Sequence, residues 1–125
     1  MEVSLGSDGS PRVHKVWCAV DCGVAVNPDV IRAQMEGGIG FGLGHVLFAE
    51  ISIEAGRPLQ GNFDTYRSLR IDEMPEVEVV IVQSAEKPTG VGEPGVPPVG
   101  PAVANAMAAL GLDRPRRLPM VRGTG

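Results

Sequence analysis

The sequence predicts an α+β fold, a mixed sheet of about four to five strands packed by two helices. Three observations lead there. Apolar, β-branched runs occur at Val13–Val20 and Glu76–Gln83. Apolar residues repeat at spacings of three and four from Val30 to Leu47. A second helical run, Pro101–Leu110, opens on proline and is stopped by Gly111. The whole fits one domain, residues 1–125, with a basic, proline-broken tail over 112–125.

The elements follow in order. Glu2–Leu5 alternates, Gly6–Pro11 is dense in turn formers, and Val13–Val20 is β-branched; together they read as a hairpin. Asp21-Cys22-Gly23 ends the second strand. Asn27 can cap a helix and Pro28 suits its first position. The stripe Val30, Ile31, Gln34, Met35, Gly38, Ile39, Gly42, Leu43, Val46, Leu47 then marks a helix with five glycines between Gly37 and Gly44. Each glycine costs about 1 kcal/mol relative to alanine. Close approach of another backbone or a ligand is the usual compensation. Glu50–Ile53 reads as a strand, Glu54–Arg57 as a hairpin turn, and Pro58–Gln60 as the start of a return strand. Gly61–Met74 is an extended surface connection. Glu76–Gln83 is the clearest strand, with Glu76 and Glu78 on its solvent face. Ser84–Pro101 is a long loop, and loops of that length are usually functional or disordered.

Composition narrows the function. A net charge of −4 argues against a nucleic-acid or anionic-membrane surface. No stretch of 18 apolar residues is present, so no membrane-spanning helix is expected. The acidic start, Met1–Asp8, shows no signal-peptide pattern; the compartment stays open, cytoplasmic by default and periplasmic for the full complex if another segment or subunit carries a signal. Cys18 and Cys22 match neither a zinc site nor a redox motif and read as small apolar side chains in or near a strand. Phosphate-loop, dinucleotide and serine-elbow patterns are absent. Arg114, Arg116 and Arg117 read as a solvated tail.

Eight of the twelve residues from Gly90 to Pro101 are Gly or Pro, and they enclose a single carboxylate, Glu93. Glycines before it permit positive φ and close approach of a ligand; prolines after it stiffen the chain. A carboxylate held there is a general-base candidate where burial raises its pKa towards neutrality. The plainer reading is a solvated glutamate on a stiff turn. Gln34, polar on an apolar stripe, is either a core-edge amide or a ligand contact.

Four stretches, Asp21–Pro28, Gln34–Leu43, Asn62–Pro75 and Gly90–Pro98 with Pro101–Ala106, resemble the molybdenum-binding subunit of the xanthine oxidase family of molybdenum hydroxylases. The likeness is to its isoquinoline 1-oxidoreductase β-subunit and aldehyde oxidoreductase branch. The resemblance implies a molybdopterin cofactor, in cytosine dinucleotide form, and water as the oxygen source. It implies a small N-heterocycle or aldehyde as substrate and a partner subunit with 2Fe–2S clusters. It makes Glu93 the general base and assigns cofactor binding to Gln34 and Gly92, with no side-chain metal ligands. It also identifies the chain as a C-terminal part of a longer subunit. The rest of the pterin cradle would then lie upstream, so the isolated chain is expected to bind no cofactor and to be inactive. The competing reading is a non-catalytic α+β interaction module that self-associates through exposed apolar surface as a homo-oligomer. The Gly/Pro cage of Glu93 favours the first, because an interaction module has no need of it.

Overall fold

The computed structural model describes residues 1–121. Strands β1 (Glu2–Leu5) and β2 (Pro11–Val20) form the expected antiparallel hairpin. Their register slips by one residue between Glu2 and Val3, which pair with Lys15 and Val13. The extra residue in β2 resets its facing, so Val13 and Val16, three apart, are both buried. Val20 completes the inward set.

Helix α1 (Pro28–Leu47) follows. Asn27 caps it, its side chain accepting from the Val30 amide at 3.2 Å, and Pro28 takes the first helical position. Ile31, Met35, Ile39, Leu43, Val46 and Leu47 are buried. A two-residue ribbon comes next, β3 (Ile53–Glu54) against β4 (Arg57–Pro58), turned by Ala55 and Gly56 at φ 48° and 78°. The expected strand over Glu50–Ile53 is thus shorter and shifted, because its side chains find no core. The connection Gly61–Met74 is irregular and ends in a 3-10 turn, Ile71–Glu73.

Strand β5 (Glu76–Ile81) adds parallel to β2 in the order β1-β2-β5, a mixed sheet. Five strands therefore exist among the described residues, three in the mixed sheet and two in the separate ribbon. Glu76 and Glu78 are exposed as expected, and Lys15 lies 2.8 and 3.2 Å from them. Those two hydrogen-bonded carboxylates hold the Lys15 ammonium above its usual range.

Helix α2 (Val99–Ala109) starts two residues before Pro101. Proline is tolerated there because first-turn amides have no intrahelical partner. Both helices pack on one face of the sheet. Val13, Val16, Ile39, Leu43, Val46, Val99, Val103 and Met107 form the main core; Val20, Cys22, Ile31 and Met35 form a second cluster. Cys18 is half-buried in β2 and Cys22 is buried just beyond it, both as apolar fillers; burial pushes the Cys18 thiol up.

The tail divides. Arg114, Arg116 and Arg117 are exposed. Met120 and Val121 return to the end of α1, donating to the carbonyls of Val46 and Leu47 at 2.8 and 3.1 Å, and Val121 is buried. These amides satisfy carbonyls that a helix end leaves open. The tail beyond Val121 lies outside the described residues.

Candidate functional site

Glu93 opens a turn closed by the Val96 amide, which donates to the Glu93 carbonyl at 2.9 Å. A second turn, Val99 N–H to Val96 O at 3.2 Å, leads into α2. The Glu93 turn is seated on the glycines of α1. Gly95 is buried, and a Cβ there would stand 3.0 Å from the Met35 carbonyl. A Cβ on Gly38 would stand 3.4 Å from the Gly95 Cα. One turn on, a Cβ on Gly42 would meet Val99 Cγ2 at 3.0 Å and the Val96 carbonyl at 3.2 Å. The helix gives up propensity at these positions and gains backbone contact with the loop.

The other end of the loop is pinned as well. Asp21 accepts from the Gly23 amide at 3.0 Å, the Val24 amide donates to Glu86 O at 3.0 Å, and the Thr89 amide donates to Cys22 O at 2.9 Å. Gly23 has φ +72°, and a Cβ there would overlap the Lys87 carbonyl. The segment carrying Glu93 is thus tied down before and after the carboxylate.

Gln34, Gly92 and Glu93 are all exposed. Gln34 neighbours Met35, whose carbonyl bears on Gly95, so the Glu93 turn sits on the N-terminal half of α1, the half that carries Gln34. Two expectations are corrected. Gln34 faces solvent and is no core-edge amide, because the inward positions are filled by Ile31, Met35 and Ile39. Gly90 and Gly92 do not take positive φ; Gly23 does, at the far anchor. The sequence reading missed Gly23 as an anchor. A glycine two residues after an Asx residue at the end of a strand was the available signal.

The opposite flank of α1 borders a groove of about 730 Å³ between Gly37, Gly40, Phe41 and Gly44 and the segment Tyr66–Met74. Glu93, Gln34 and Gly92 are not part of it. Arg67 braces that segment. Its guanidinium lies 4.1 Å from the Phe48 ring centroid and is ion-paired with Glu73. Burial pushes the Glu73 carboxyl up, but the Arg67 hydrogen bond, the Arg70 amide and the charges of Arg67 and Arg12 outweigh it and hold it below its usual range.

Residues 2–75 match the family model described as a molybdopterin cofactor-binding domain. The chain belongs to that family. It is 39% identical over 91% of its length to the isoquinoline 1-oxidoreductase β-subunit of Brevundimonas diminuta. It is 43% identical, again over 91%, to a membrane-bound aldehyde dehydrogenase of Gluconacetobacter polyoxogenes, named for pyrroloquinoline quinone. In each case it spans 15% of the relative's length. Its fold matches 16% of the chain of quinoline 2-oxidoreductase from Pseudomonas putida 86, with a TM-score of 0.79 over 92% of this chain at 21% identity. This molybdopterin-domain chain therefore corresponds to a fragment of a xanthine oxidase-type molybdenum-binding subunit.

The residues fit such a cofactor. A Cβ at Gly90 or Gly92 would meet nothing within 4 Å, which leaves bare backbone beside Glu93 for a large polar group. The exposed Gln34 amide has donors and an acceptor free for a polar group. Among the described residues no three or more His, Cys, Asp or Glu side chains gather to hold a metal ion.

Proposed function

We propose that this chain is the part of a molybdenum hydroxylase that presents the general base to the molybdenum cofactor. The observation that carries it is the double pinning of the Glu93 loop, at Gly23 before the carboxylate and at Gly38, Gly42 and Gly95 after it. A side chain on solvent needs no such restraint; a base that must meet a reacting group within hydrogen-bond reach does.

In this reading Gln34 and the Gly92 backbone hold the molybdopterin, in cytosine dinucleotide form. The bound cofactor supplies oxygen transfer from water and a two-electron sink. Glu93 takes the proton from the attacking oxygen and orients it towards an electron-poor carbon of an N-heterocycle or an aldehyde. In this reading other polypeptide supplies the water-excluding walls over the exposed Glu93, and the chain's span of 15% of its relatives supports that. In this reading the chain alone is inactive. A subunit carrying 2Fe–2S clusters would take the electrons onward.

The test is Glu93→Gln in the complete enzyme. Turnover should fall by about 10²–10⁴-fold, the usual contribution of a positioned base, with molybdenum content unchanged. Near-normal turnover in that variant, at full metal loading, would reject the assignment.

A further inference from the structure

Between the two anchors of the Glu93 loop runs a stretch with little backbone support. The first anchor ends with the Thr89 amide on Cys22 O, and the next hydrogen bond is that of the Glu93 turn itself. Among the described residues no backbone hydrogen bond involves Gly90, Val91 or Gly92. Neither glycine takes positive φ, and a Cβ on either would meet nothing within 4 Å. Each therefore adds conformational freedom on the side from which the chain enters Glu93. The exit side is stiffer: the ring of Pro94 fixes its φ, and Gly95 is seated on the Met35 carbonyl. Val91 differs from its neighbours. From Ala85 to Pro94 every other residue is exposed, and Val91 alone is half-buried. Its side chain packs against the cluster of Val20, Cys22, Ile31 and Met35. The fully buried Met35 belongs to both footings, since its side chain is part of the cluster that receives Val91 and its carbonyl bears on Gly95. Gly92, Glu93 and Pro94 form an exposed arch between these two feet, with the carboxylate at its crown.

We infer that Val91 is a positioning residue for Glu93. Its side chain, branched at Cβ and therefore stiff, is held in the cluster and removes the freedom that Gly90 and Gly92 admit. It fixes where the chain enters the carboxylate, as Gly95 fixes where the chain leaves it. Val91 meets no reacting group and acts through Glu93 alone, so the inference rests on the reading of Glu93 as the base. Placement on this scale is decisive, because a shift of about 1 Å at a reacting group costs about 10²-fold in rate.

The experiment uses the complete enzyme and measures turnover per bound molybdenum for Val91→Ala, Val91→Gly and Val91→Ile, each with Glu93 and with Glu93→Gln. Hydrogen exchange of the Val96 amide, which closes the Glu93 turn, is followed in the same proteins. Val91→Ala should lower turnover by about 10–100-fold. Val91→Gly should lower it further, since it places a third glycine in the run. Val91→Ile keeps a β-branched apolar side chain and should restore most of the loss. In the Glu93→Gln background the Val91 variants should cost nothing more, because residues that act as a unit are not additive. Exchange at Val96 should quicken in Val91→Ala and Val91→Gly and return in Val91→Ile. Unchanged turnover in both Val91→Ala and Val91→Gly, or the same fold-loss with and without Glu93, overturns the inference and leaves the base reading standing. Near-normal turnover in Glu93→Gln alone rejects the base reading instead; Val91 then stands or falls on exchange at Val96, and unchanged exchange overturns it.

Discussion

At Gly23 a side chain has nowhere to go. Its φ of +72° is strained for any L-residue, and the Lys87 carbonyl occupies the space of a Cβ. Gly56 has a similar φ, +78°, but open space around it. Gly23→Ala should therefore cost more than about 2 kcal/mol, and Gly56→Ala only about 1–2 kcal/mol of backbone strain. Urea unfolding of the two variants makes the comparison. Glycines of α1 divide in the same way. Gly37 has nothing within 4 Å, so Gly37→Ala should gain up to about 1 kcal/mol of helix propensity, whereas Gly42→Ala must push on Val99 and Val96 and should lose it. The presence of a glycine-lined contact was legible in the sequence; which glycines made it was not. Composition records that Cβ is missing but not what would have met it. Glu93 was legible as a caged carboxylate; its exposure was not, because exposure depends on tertiary surroundings.

Elements were legible where local chemistry decides them. Asn27 and Pro28 fixed the start of α1, and the cap accepts from Val30. Asn27→Ala should cost about 1 kcal/mol, read from the chemical denaturation midpoint. Alternation placed Glu76 and Glu78 on the solvent side of β5, where Lys15 reaches both. The ribbon β3–β4 was overextended by the sequence reading, since apolar alternation implies a strand only where a sheet receives it. The segment Tyr66–Glu73 shows tertiary control most clearly. Its ion pair links Arg67 and Glu73, and Arg12 from β2 donates to the Asp72 carbonyl. Because the Glu73 carboxyl titrates below its ordinary value of 4.5 in the fold, it contributes stability above that pH. The contribution is lost as pH falls through the lowered native value. Glu73→Gln should flatten the stability profile in that acid window, which thermal melts across pH 3–6, roughly the carboxylate titration range, will show.

On the scale of the whole molecule, two helices lie on one face of a short sheet, and the α+β class follows from their periodicities. The order β1-β2-β5 does not, because strand partners are chosen by packing far apart in sequence. Nor was the return of Val121 to the core legible in a basic, proline-rich tail. No helix among the described residues is long and apolar enough to cross a membrane. The purified chain should retain no stoichiometric molybdenum, as metal analysis after gel filtration would show; full loading of the chain alone would contradict the split-site reading.

The five glycines of α1 make its middle a conditional helix. Left to itself, a run losing about 1 kcal/mol at each glycine would fray. It is held by the loop and by α2 resting on Gly38 and Gly42. Secondary structure and the placement of the Glu93 turn are therefore one cooperative event. Dislodging the Glu93 turn should open the α1 amides to hydrogen exchange, so solvent exchange in a helix reports the seating of a loop that has no regular structure of its own.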